Sequence, residues 1–193
     1  MEDVLVRLGG FHLLMSFLGC IGYIMAGSGL KELLTLIYAP NSLKKILSWH
    51  SYARAVRAHM LVQVVLAERI FSVIEFSDVD EETIKLLLGS DEEFVSIETI
   101  NSSDGMRKIF QKFENALLKL SNRGAMAKLG IQYFKMVNLM KNFIAAERMG
   151  DWNQHIKSVR TMNPLFPLCR SLPICKGCPF ISTGSDALKG DSE

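Results

Sequence analysis

The chain has 193 residues, 49% of them apolar and 22% charged, with 22 Lys and Arg against 20 Asp and Glu for a net charge of +2. These proportions exclude a disordered tail, a collagen-like fibre and a low-complexity linker. The near-balance of charge gives no overall pull toward nucleic acid or acidic membranes.

One globular domain over residues 1–166 is expected, mostly α, followed by an irregular Cys-containing tail over 167–193. Residues 2–8 (EDVLVRL) are short and Val/Leu-rich and end in Gly9-Gly10, so they predict a strand entering a tight turn. Residues 11–26 predict a buried helix. Ser28 can cap a helix running to Ala39, which Pro40 would stop. Residues 42–49 predict a short helix with Lys44 and Lys45 outward. A long helix follows over 51–76, its inward set being Val56, Leu61, Val64, Val65, Ile70 and Ile74.

Asp78 and Glu81 have capping-box spacing ahead of a short helix over 80–88. Residues 89–104 are acidic and Ser-rich and read as a surface linker. Residues 106–120 are amphipathic, with Ile109, Phe113, Ala116, Leu117 and Leu120 on one face. Residues 125–149 predict a second long helix, packing through Leu129, Tyr133, Met136, Leu139, Met140 and Phe143. Gly150 should break it, and Asp151 should cap a last helix to about Arg160. A single strand has no partner within this set, so its sheet is expected to lie outside the chain.

The first residues carry Glu2 and Asp3 where a secretory signal would be basic, which points to an intracellular setting, nuclear or cytoplasmic. Residues 11–30 contain no Asp, Glu, Lys or Arg and are long enough to span a bilayer, so a membrane anchor is the alternative. Four glycines and His12 within the stretch favour a buried core helix instead.

Of four cysteines, Cys20 reads as a small buried hydrophobe. Cys169, Cys175 and Cys178 form a Cys-x5-Cys-x2-Cys set, and His155 could complete a tetrahedral zinc site with them. Incidental cysteines in an irregular tail are the favoured reading. His12, at the strand-to-helix junction, is the one catalytic candidate. Asp3, Glu68, Glu147 and Asp151 are available carboxylates that spacing alone does not bring together. Lys44, Lys45, Arg54, Arg57 and His59 form a modest basic cluster that could touch phosphates, or simply face solvent.

The runs VLVRLGGFHLLMSFLGCIGYIMAGSGLKELL, SYARAVRAHMLV and AAERMGDWNQHIKSV resemble a group of uncharacterised animal proteins of transposon type. The GGFHLLMSFLG segment is also similar to part of a fungal transposon-type domain. The resemblance covers nearly all of residues 2–166. It implies an RNase H-like core with a helical insertion, here residues 30–150, acting on DNA. Such a core holds two Mg²⁺ or Mn²⁺ ions on a few carboxylates. The acids that the resemblance implies upstream of the strand are absent from this sequence, so only His12 is marked and no cofactor is expected.

The tail departs from the resembled group after Pro167. Codons can be chosen for residues 169–183 that, read one base later, spell AGHFPYAKAVHLYL, the kind of sequence that group carries there. A change of reading frame near Pro167 is therefore expected. Three functional expectations follow: a non-catalytic fragment of a transposon-derived protein, a helical protein-interaction module, or a small membrane protein anchored by residues 11–30.

Overall fold

The computed structural model describes residues 9–48, 50–75 and 104–169. Every element among them is helical: α1 (Gly10–Ile24), α2 (Leu30–Thr35), α3 (Pro40–Leu47), α4 (Tyr52–Phe71), α5 (Asp104–Ser121), α6 (Ala125–Met149) and α7 (Trp152–Met162), followed by a 3-10 segment (Asn163–Cys169). The chain is mostly α. The expected strand over 2–8, the Asp78/Glu81 pair, the helix over 80–88, the linker up to residue 103, and Cys175 with Cys178 all lie outside the described residues. No described helix is long and apolar enough to cross a membrane.

The described residues group into two compact units, one drawn from residues 1–61 and 133–193, the other from 62–132. In the first, α1 is the central element. Leu14, Phe17, Leu18, Cys20 and Ile21 are all buried. Full burial of a side chain such as Phe17 contributes about 1.5–3 kcal/mol. The helix packs against α3 and the 3-10 segment, where the Phe166 ring meets Phe17 edge-on at 6.4 Å. Gly22 lets α1 approach α3 closely, because a Cβ there would collide with the main-chain carbonyl oxygen of Leu47.

The turn after α1 differs from expectation. Gly29, at φ 86°, is the cap residue of α2, while the Ser28 hydroxyl donates to the Met25 carbonyl at 2.7 Å and accepts from Leu30 N at 3.3 Å. The helix expected to run to Ala39 ends at Thr35, and Pro40 begins α3 instead of stopping α2. A proline fits a first helical turn because its fixed φ and missing N–H cost nothing there. Ala39, extended at φ −61° and ψ 148°, has the conformation favoured before proline.

The inward face of α4 also differs. In the first unit it buries Ala55, Ala58 and His59, while Leu61 is 44% exposed. Ala55 and Ala58 are small residues one helical turn apart on this face, and Leu61 lies off it. On α6 most of the expected face is present: Tyr133, Met136, Met140 and Phe143 are buried, joined by Val137 and Ala146, while Leu129 and Leu139 are half-buried.

Gly150, at φ 70°, ends α6 with the Asp151 amide donating back to the Ala146 carbonyl at 3.0 Å, a Schellman-type closure that only a left-handed residue permits. Asp151 then starts α7 by accepting from Gln154 N at 3.0 Å. Replacing Asp151 with Ala should cost about 1 kcal/mol, read as a lower midpoint in urea at unchanged slope. No change in midpoint would refute the capping role.

In the second unit, α5 buries Ile109, Ala116 and Leu117 of its expected face, with Met106 added and Phe113 and Leu120 half-buried. Phe113 meets Phe71 at 5.4 Å, and Lys112 Nζ donates to the Glu75 carbonyl at 2.7 Å. Val64 and Val65 of α4 are 57% and 52% exposed, contrary to expectation, whereas Ile70 is buried.

Candidate functional site

The Gly150–Asp151 joint places the last turn of α6 beside the first turn of α7. Glu147 and His155 meet there, with Oε1 and Nδ1 2.6 Å apart. The imidazole is nearly buried. Trp152 stacks on it at 5.4 Å between centroids and 11° between planes, and Phe143 tilts against it at 5.1 Å. The Glu147 carboxylate also lies against Gly10, since a Cβ at Gly10 would fall 2.5 Å from Oε2. α1 has no acid in its own first turn. Glu147 therefore brings negative charge from another helix to the positive end of the α1 dipole.

A carboxylate orienting an imidazole is also part of many nucleophilic sites. Here the ring is wedged between aromatic groups. The nearest hydroxyl along its helix face, Ser158, is buried with no hydrogen-bond partner among the described residues. A substrate could not reach it without opening the core. The arrangement serves to lock α1, α6 and α7 together.

A second polar pair lies deeper. His59 Nδ1 of α4 is 2.9 Å from the Tyr133 hydroxyl of α6, and both side chains are essentially fully buried. Burial lowers the imidazole from 6.5 to about 4 and pushes the Tyr133 phenol well above its usual value. Nε2 of His59 is buried with no hydrogen-bond partner among the described residues. The imidazole is thus neutral near pH 7, and His59 does not belong to the basic cluster expected for it. Its spacing from the apolar residues Ala55 and Val62, i−4 and i+3, is the sequence signal that it faces inward.

The other sequence candidates are distributed as follows. His12 is exposed on the first turn of α1, its ring 6.1 Å from that of Phe11. Lys44 and Lys45 are exposed in the last turn of α3, where the helix dipole favours cations. Arg54 reaches α3 through a long 3.5 Å hydrogen bond from Nη1 to Ser42 Oγ, and Arg57 is exposed on α4. The four cations therefore share one unit of the fold. Among the described residues, no group of three or more His, Cys, Asp or Glu could hold a metal ion. Of the proposed zinc ligands, Cys169 closes the 3-10 segment, and Cys175 and Cys178 are outside the described residues.

A family model described as a domain of unknown function (DUF8702) matches residues 1–180. The matched span takes in Cys169, Cys175 and Cys178, so it continues past Pro167, where a change of reading frame was expected. No curated protein and no solved structure matches the chain.

Proposed function

We propose that the chain, which belongs to the DUF8702 family, is a non-catalytic helical protein of transposon origin. The origin rests on the sequence resemblance over residues 2–166. The non-catalytic reading rests on how the polar groups are used. Asp151 caps α7, Glu147 is committed to His155 and Gly10, and His59 is committed to Tyr133. Two-metal phosphoryl transfer needs carboxylates converging on ions about 3.5–4 Å apart. Of the carboxylates noted in the sequence, Glu147 and Asp151 hold helix ends together, and Asp3 lies outside the described residues.

The test is a nuclease assay on the purified full chain. Supercoiled plasmid and labelled single- and double-stranded oligonucleotides are incubated with Mg²⁺ or Mn²⁺. No cleavage above the buffer control is expected. Metal-dependent cleavage that co-purifies with the chain and disappears in Glu147→Gln or Asp151→Asn would overturn the non-catalytic reading. The origin is tested separately at the locus: an element boundary, such as terminal repeats, is expected in the flanking DNA, and flanking DNA without one would remove it.

A further inference from the structure

α1, α2 and α3 enclose a groove of about 600 Å³ that the polar pairs described above do not use. The volume lies within the range of small-molecule sites. Gly19, Gly22 and Tyr23 of α1, with Ala26 in the turn after it, form one side, and Leu43 and Leu47 of α3 form part of the other. The close approach of Gly22 to the Leu47 carbonyl ties the two walls together, so the trough is built into the helix crossing. The charged residues lining it are two cations, Lys31 of α2 and Lys44 of α3, both exposed, with no acidic residue alongside them in the lining.

We propose that this groove binds a long-chain fatty carboxylate. An unbranched alkyl chain suits a trough whose α1 side offers Gly19, Gly22, Ala26 and Tyr23. Lysines combine an apolar stem with a charged head, so Lys31 and Lys44 can lie along the chain and still meet the carboxylate. The acid-free lining gives the anion no repulsive neighbour. The apolar lining removes the alkyl chain from water, and the two ammonium groups set its polarity.

The experiment titrates the full-length chain with sodium oleate below its critical micelle concentration, followed by calorimetry and by displacement of a fluorescent polyene fatty acid. Saturable one-to-one binding is expected. The double variant Lys31→Glu/Lys44→Glu, altered only at exposed positions, should weaken it about tenfold. Ala26→Trp, which places a ring in the trough, should abolish it while leaving the melting curve intact. If Ala26→Trp disturbs the fold, the lysine variant alone decides. Absence of saturable binding, equal binding of uncharged methyl oleate, or full affinity in the lysine variant would each overturn the proposal.

Discussion

Acidification from neutral pH to about 4 is expected to destabilise the chain by about 3 kcal/mol through His59 alone. Its imidazole has a value of about 4 in the fold against 6.5 for an unconstrained histidine. Across that gap each pH unit is worth roughly 1.4 kcal/mol. The folded value is the lower one, so between pH 6.5 and 4 the unfolded chain binds the extra proton. The stabilisation is therefore complete above about pH 6.5 and is lost as the pH falls toward 4. The cause is burial: a charged ring would sit beside the Tyr133 hydroxyl with Nε2 lacking a partner among the described residues. Thermal melting across this range should show the midpoint falling by on the order of 10 °C. Carboxylates titrate in the same window, so His59→Gln, which can still pair with the Tyr133 hydroxyl, is the control. Its stability should depend on pH much less steeply. An unchanged slope would show that His59 is not the group responsible.

Gly22→Ala should be the most damaging single-methyl addition. The new Cβ would meet the Leu47 carbonyl oxygen, which is main chain and cannot swing aside, so α1 and α3 would have to separate. Overpacking of this kind costs about 1–3 kcal/mol. Gly130→Ala is the matched comparison. It lies within α6, a Cβ there would have nothing within 4 Å, and the change should stabilise by about 0.5–1 kcal/mol through helix propensity. Denaturant midpoints of the two variants should move in opposite directions. A destabilising Gly130→Ala or a neutral Gly22→Ala would contradict the close helix crossing.

The groove proposal bears on the Gly22 result, because the same crossing forms one end of the trough. A variant that pushes α1 from α3 should change fatty-acid affinity as well as stability, whereas Gly130→Ala should leave affinity alone.

Local signals in the sequence were legible where they act locally. The α6 boundaries, the break at Gly150 and the Asp151 cap follow from residues adjacent in the chain, and the structure has each of them. The α5 face follows from simple periodicity. Pro40 was read as a stop because proline both ends and begins helices, and only the conformation of Ala39 decides which. The face of α4 is only partly legible because Leu61, Val64 and Val65 lie off the buried positions Ala55, Ala58, His59, Val62 and Ile70, and hydrophobicity alone weights size over fit. Glu147 and His155 are each visible in the sequence as polar candidates, but not as a pair. Their contact crosses a helix break, and no single period carries across it. His59 with Tyr133 joins positions 74 residues apart, which no motif encodes.

That contrast in separation along the chain has a consequence for the order in which the first unit assembles. The Gly150–Asp151 joint closes with bonds between residues 146 and 154, so loop closure opposes it little and it can form early. The His59–Tyr133 contact requires the two ends of a long intervening segment to come together before it gives anything back. The helical elbow is therefore expected to form in the nucleus and the buried imidazole contact in the last closure. Damage at Asp151 would act mainly on the rate of folding, and damage at His59 mainly on the rate of unfolding.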